Sequence, residues 1–290
     1  MLKHLLGGLS LVAIWSTTAL AIKWSVDGIP YALALFSRFG IAFVIMATLL
    51  ALHRTTLPPL RNTWRAWLAS GGSTAFTMLC TYWASQYVSS GLVAVIHGLA
   101  PLATVVFARL LLKEEVSRNE IVGIVLAVFG LTVIFSNGLH LGPQGLPALL
   151  IVLFAVTMNS GAAVKLKAYS QGLPAVIVSM GSMGVCAVST GTLWLAQGAP
   201  LPETLPLRAA GAILYLAIVA SVFAMSVYYW LIRECRPTQI ALIPMIATAS
   251  SIWIGHTLND EIVTPEIITG SALIIGGLAL NQLGAWRKRR

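Results

Sequence analysis

The sequence predicts an all-α integral membrane protein of ten transmembrane helices in two inverted five-helix repeats. Three observations predict it. Hydrophobic residues make up 58% of the chain and charged residues only 9%, with a mean hydropathy of +0.86, whereas an ordinary soluble domain carries ~25% charged residues. The apolar residues fall into ten long stretches with the charges in the gaps. Finally, landmarks of the first half recur in the second at a nearly constant offset.

A span needs ~20 mostly apolar residues to cross a hydrocarbon core ~30 Å thick. The stretches that meet this run approximately over 4–23, 31–53, 66–86, 89–112, 119–136, 145–164, 173–196, 207–232, 237–258 and 265–285. They do not alternate with the period of two that a lipid-facing strand requires, so they read as helices. In the first, Lys3 precedes an apolar run ending in Ala19-Leu20-Ala21, which resembles a signal-peptide cleavage site. The run is slightly long for a signal, no polar region follows it, and the repeat needs it, so it is expected to be retained as a helix.

The second span carries Arg38 about a third of the way in, where its stem can snorkel toward headgroups. A structural ion pair, with Asp27 or Glu261 as partner, or a carbonyl clamp is expected in preference to substrate contact. The fourth contains His97 one turn before Pro101. Proline leaves a carbonyl without its usual donor and bends a helix, exposing polar backbone to a cavity. Residues four apart share a helix face, so His97 and Pro101 point to one side. His97 is a candidate to read a substrate carboxylate or to titrate during the cycle, since histidine has a reference pKa of ~6.5 and can change charge near neutrality. The plain structural alternative is a neutral histidine bonded to a neighbouring helix.

Cations set the topology. With a cytoplasmic amino terminus, Lys3, Arg54, Arg61, Arg65, Arg109, Lys113, Arg118, Lys165, Lys167, Arg233, Arg236 and the terminal Arg287, Lys288, Arg289 and Arg290 all fall on the cytoplasmic side. Only Lys23 and Arg208 fall opposite, so both termini are expected in the cytoplasm. The formal charge of +9 is then a matter of topology and anionic headgroups, not of nucleic acid. Cys80, Cys186 and Cys235 are scattered. No metal-ligand spacing, phosphate loop or nucleophile elbow occurs, so no cofactor or metal is implied.

Glu114, Gly123, Gly130 and Leu131 recur as Glu261, Gly270, Gly277 and Leu278, each 147 positions on (261 − 114). Tyr82-Trp83 and Tyr229-Trp230 keep the same offset. Gly28-Ile29-Pro30 and Gly40 match Gly172-Leu173-Pro174 and Gly184 at 144 (172 − 28). The repeats are placed at 1–142 and 143–290. An odd number of spans per repeat forces the second copy to enter from the opposite side, and inverted repeats are a recurring architecture of secondary transporters with a site near the midplane.

The same landmarks resemble the drug/metabolite transporter superfamily, and within it the bacterial EamA-like ten-helix exporters. They are Trp15-Ser16, Arg38, Ala100-Pro101, then Glu114, Gly123 and Gly130, with Glu261, Gly270 and Gly277 repeating the signature. The resemblance covers essentially the whole chain. It implies a secondary exporter of small organic metabolites such as amino acids in a bacterial inner membrane, with a cavity formed by the first, third, fourth, sixth, eighth and ninth spans. At the position matching Pro101 stands Thr248, and the proline lies four residues earlier at Pro244, so the second helix break is expected one turn away.

Candidate substrate-binding residues are Trp15, Ser16, Tyr82, His97, Pro101, Asn159, Tyr229 and Thr248. Aromatic rings can stack on an organic substrate, and hydroxyl or amide groups can fix its polar atoms. Against this, Trp and Tyr also anchor helices at interfaces, and a buried Asn commonly joins two helices. Arg38, Glu114, Pro244 and Glu261 are assigned structural or gating roles. The small residues of Gly123, Ala127 and Gly130, and of Gly270, Gly276 and Gly277, favour close helix packing or a dimer surface, leaving a monomer or a homodimer open.

No Asp or Glu occurs mid-span, which removes proton antiport through a buried carboxylate and makes a cationic drug a less natural substrate than a zwitterion or neutral metabolite. A multidrug or metabolite permease working in either direction is the nearest alternative. A membrane-embedded enzyme lacks a convergent reactive set, and a sensor or scaffold lacks an added domain or long loops.

Overall fold

The computed structural model describes residues 2–113, 117–136, 143–234 and 237–287. All regular elements among them are helical: α1 (Leu2–Ser25), α2 (Tyr31–Leu52), α3 (Leu60–Ala84), α4 (Ser90–Gly98), α5 (Ala100–Leu112), α6 (Arg118–Ser136), α7 (Gly145–Tyr169), α8 (Ala175–Ala196), α9 (Leu207–Tyr215), α10 (Ala224–Glu234), α11 (Pro237–Asn259) and α12 (Pro265–Arg287). A wide π-helical segment, Leu216–Phe223, joins α9 to α10.

Six helical stretches among the described residues are long and apolar enough to cross a membrane. The expected spans at α3, α6, α11 and α12 are not among these six, α12 giving a shorter apolar stretch over Pro265–Leu280. The middle of α3 is rich in Ser, Thr and Gly. Its hydroxyls donate to carbonyls one turn back, Ser73 to Ala69, Thr77 to Ser73 and Thr81 to Thr77, at 2.7 to 2.8 Å. That satisfies polar groups inside the helix, as an apolar environment requires.

The fourth expected span is two helices, not one. α4 ends at Gly98, the Leu99 amide turns back to the Ile96 carbonyl at 3.0 Å, and α5 begins at Ala100 with Pro101 in its first turn. Proline suits that position, since its missing amide hydrogen is not needed there. The expected second break is absent. α11 runs without interruption through Pro244.

α1 packs against α9, α10 and α11; α2 against α8 and the π segment; α3 against α7 and α8; α4 against α11; α5 against α7; and α6 against α12. The α6/α12 contact is the tightest. A Cβ on Gly130 would lie 2.5 Å from the Gly270 carbonyl oxygen, and the reverse substitution meets the Gly130 carbonyl at the same distance. Gly277 likewise abuts the Gly123 carbonyl. Gly123, Gly130, Gly270 and Gly277 are therefore used in close packing within the chain, the use the sequence favoured, while Gly276 meets nothing within 4 Å. Backbone proximity of this kind is what drives helix association where lipid offers no hydrophobic gain.

Before α2 and α8 the chain makes the same turn. Gly28 and Gly172 have φ of +73° and +74°, and Pro30 and Pro174 precede the first helical residues. Only glycine adopts that backbone without steric cost. Buried apolar side chains among the described residues gather in two clusters. One holds Leu11, Leu35, Met183 and Leu216, and the other holds Val95, Leu149, Val152 and Ile274.

Candidate functional site

A cavity of about 210 Å³ lies where α1, α2, α3, α4 and α11 converge. α1 presents Trp15, Thr18 and Ile22, and α4 presents Val93, Ala94, His97 and Gly98. α11 presents Pro244, Thr248 and Ser251, spaced four and three apart so that they share one face. Arg38 enters from α2 and Met78 from α3. No Asp or Glu lines the cavity among the described residues.

The hydroxyls, the imidazole and the guanidinium of the wall each have an identifiable partner. Thr18 donates to the Ile14 carbonyl at 2.7 Å, Thr248 to Pro244 at 2.8 Å, and Ser251 to Ala247 at 2.8 Å and to Ser16 of α1 at 3.0 Å. With their protons turned to backbone, these hydroxyls offer lone pairs. His97 Nε2 lies 3.0 Å from Thr81 Oγ1, whose own proton goes to the Thr77 carbonyl. The network therefore assigns the Nε2 proton to His97, as donor to Thr81.

Arg38 is 7% exposed. Its Nε donates to Ser221 Oγ of the π segment at 3.3 Å, and its Nη1 donates to the Tyr82 hydroxyl at 3.1 Å. The expected ion pair with Asp27 or Glu261 is not formed. Glu261 is engaged elsewhere, and Asp27 lies on a separate pocket.

Glu261, 8% exposed, sits in the loop between α11 and α12 and reaches the start of α4. It accepts from the Ser90 amide at 3.0 Å, the Ser90 hydroxyl at 2.9 Å, the Gly91 amide at 3.4 Å and the Asn259 side chain at 3.2 Å. Lys23, ending α1, completes the cluster at 3.4 Å and donates to the Val88 carbonyl at 3.0 Å. A carboxylate at a helix amino terminus satisfies exposed amides and meets a favourable dipole. Asn259 also accepts from Trp24 at 2.8 Å and Arg208 at 3.4 Å, with the Arg208 guanidinium 4.0 Å above the Trp24 ring. A second pocket of about 340 Å³ opens here, bordered by Lys23, Asp27, Arg208 and Asn259.

Of the residues read from sequence as substrate-binding, Trp15, His97 and Thr248 share the cavity wall, and so do Arg38 and Pro244 from the structural set. Ser16 is buried with its hydroxyl on the Val12 carbonyl. Tyr82 is fully buried behind Arg38. Pro101 and Asn159 are half-buried and lie off the wall. The Tyr229 side chain and all of Glu114 fall outside the described residues.

The helices differ from those expected as well. Among the described residues α2 contributes, and the sixth and eighth expected spans do not. Thr18 and Ser251 were not singled out from sequence, although their spacings from Trp15 and Thr248 carry the periodic signal that finds them.

The EamA-like transporter family model matches twice, over residues 2–136 and 146–282, and the chain belongs to that family. It is similar to YedA, an uncharacterized inner membrane transporter of Escherichia coli (strain K12), at 26% identity over 96% of this chain and 90% of that one. YoaV, an uncharacterized transporter of Bacillus subtilis (strain 168), is 23% identical with both chains fully covered. A probable terminal-alkyne amino-acid exporter of Streptantibioticus cattleyicolor is 24% identical over 96% and 93%. A solved crystal structure shares the fold with a TM-score of 0.68 at 19% identity, covering 99% of each chain. The protein is a multi-pass membrane transporter, and its family is one of transporters rather than enzymes.

Proposed function

We propose that the chain is a secondary exporter of small organic metabolites such as amino acids, built from two inverted five-helix repeats at 1–142 and 143–290 and working by alternating access. The carrying observation is the cavity itself, enclosed by α1 to α4 on one side of that division and α11 on the other. Packing supports the division. Under exchange of the halves α2 trades with α8, α6 with α12, and the α4/α5 span with α11, and each of these pairs is in contact. The α3/α7 contact likewise trades with that of α9 and α10 on α1. The matched turns at Gly28 and Gly172 point the same way.

Cation asymmetry supports an inner-membrane protein of a bacterium with both termini on the cytoplasmic side. The Lys23 and Glu261 cluster then closes the outer side. A cavity of about 210 Å³ is small beside the ~300–1,000 Å³ of drug-sized pockets, which favours a metabolite over a bulky drug. The amino-acid exporter among the relatives accords with this at the level of substrate class.

The test is counterflow in proteoliposomes loaded with single unlabelled amino acids and metabolites, following labelled tracer with and without a pH gradient. Exchange confined to one substrate class supports the proposal. Silence across the panel from folded protein defeats it.

A further inference from the structure

Resting on the transport reading above, we infer that the cavity recognises a carboxylate, held by Arg38, and that an ammonium group on the substrate is dispensable. The sequence suggested a structural arginine. The geometry gives it a different setting.

Arg38 is buried on the cavity wall, and among the described residues no carboxylate lies within ion-pair distance of it. Its guanidinium carbon lies 5.2 Å from the centre of the Phe39 ring, and its hydrogen-bond partners are two neutral hydroxyls, Ser221 and Tyr82. Of the five N–H groups of a guanidinium, these engage two, leaving Nη2 whole and one proton on Nη1. An ion held away from water without a counter-charge is costly, so sites of this kind inside membranes are occupied by function. A guanidinium is always charged, and its planar fork matches a carboxylate with two parallel hydrogen bonds.

The two hydroxyls act as positioning groups. Ser221 belongs to the wide π segment, a helical distortion frequent at functional sites. Tyr82 is immobilised by complete burial. Ser221 takes the Nε proton and Tyr82 one Nη1 proton, which fixes the guanidinium plane and leaves the Nη2 protons and the second Nη1 proton for a ligand.

The rest of the wall decides what accompanies the carboxylate. Trp15, Ile22, Met78 and Val93 supply apolar surface for a short carbon body. Thr18, Thr248 and Ser251 present neutral lone pairs, having given their protons to backbone carbonyls. They accommodate an amine without supplying the negative charge that would make one necessary.

Leucine, 4-methylpentanoate, leucinamide and 4-methylpentanamide separate the possibilities, alongside acetate, butanoate and phenylacetate with their amides. Binding to purified protein in lipid nanodiscs is read as a rise in melting temperature, and transport as counterflow of the same compounds. At least one acid is expected to bind, with its amide at least tenfold weaker and leucinamide no better than the amide. Arg38→Met is expected to lose the acid by at least tenfold, while Tyr82→Phe, which keeps the charge, loses a few-fold.

Equal binding of acids and amides, failure of every acid to bind, or an Arg38→Met protein that binds acid like wild type overturns the inference. Counterflow of the amides or of leucinamide alone leaves the transport reading standing and removes the carboxylate. Acid binding at Arg38 without counterflow of any compound does the reverse.

Discussion

Arg38 and Glu261 are both nearly fully buried charges, yet their surroundings are opposite. Glu261 meets a cation, two backbone amides, a hydroxyl and an amide side chain, all within 3.4 Å. Arg38 meets two hydroxyls, the Phe39 ring and a cavity. A charge satisfied from every direction holds the fold in one arrangement. A charge with three of its five N–H groups free has donors left for a ligand. On the reading proposed above, the difference separates a latch at Glu261 from a binding site at Arg38, and substitutions should separate them again.

The largest loss of stability is expected at the latch. Glu261→Ala leaves the Ser90 and Gly91 amides without their acceptor and Lys23 without its counter-ion. Removing one partner of a buried pair costs ~3–5 kcal/mol. The Lys23 side chain is 29% exposed, so about 3 kcal/mol is expected, seen as a lower melting temperature in detergent. Glu261→Gln keeps an acceptor for the amides and should recover part of it. A Glu261→Ala protein as stable as wild type would deny the latch any role in holding the fold.

The same latch can be broken sterically. In a helix interior Gly→Ala ordinarily stabilises by ~1 kcal/mol. At Gly255 the sign should reverse, because the new methyl would run into Glu261 Oε2 and lie 2.8 Å from Ser90 Oγ. Overpacking costs ~1–3 kcal/mol, so a net loss of about 1 kcal/mol is expected. Gly276→Ala, with nothing within 4 Å of the new methyl, is the control and should gain or stay level in the same melting assay.

Much of this contrast was legible in the sequence, though unevenly. Glu261 stood out because it recurs at the offset of Glu114, and its place between two spans suited a loop-closing residue. Its partners could not be read, because Lys23 and Ser90 lie far away in the chain and meet it only through packing. Arg38 was visible as a lone intramembrane cation, but sequence places a residue on a helix without saying toward which neighbour it points.

The nearest acids in topology, Asp27 and Glu261, were natural partners until the fold committed one to Lys23 and set the other beside a different pocket. The break near Pro101 follows from chemistry local to that residue. Pro244 carries the same chemistry in a helix that continues through it, so packing decides between a kink and a break.

A smaller effect is expected at Thr81, which bridges the cavity wall to its own helix. Thr81→Val keeps the shape and removes the hydroxyl that orients His97 at 3.0 Å. A neutral hydrogen bond is worth ~1 kcal/mol, so stability should fall by no more than that. The clearer readout is substrate affinity. If His97 orientation matters for binding, affinity falls several-fold together with that of His97→Ala. Unchanged affinity in both would confine His97 to packing.

The smallest effect on stability is expected where the buried charge is least compensated. Replacing buried ionic groups by apolar side chains of similar volume is often neutral or stabilising. Arg38→Met gives up two hydrogen bonds to neutral hydroxyls, and it also removes the desolvation penalty of a charge with no counter-ion among the described residues. The two should nearly cancel, within about 1 kcal/mol, even as substrate binding falls at least tenfold. Were Arg38 instead a structural pin like Glu261, the Met variant would melt well below wild type, and the contrast between the two charges would collapse.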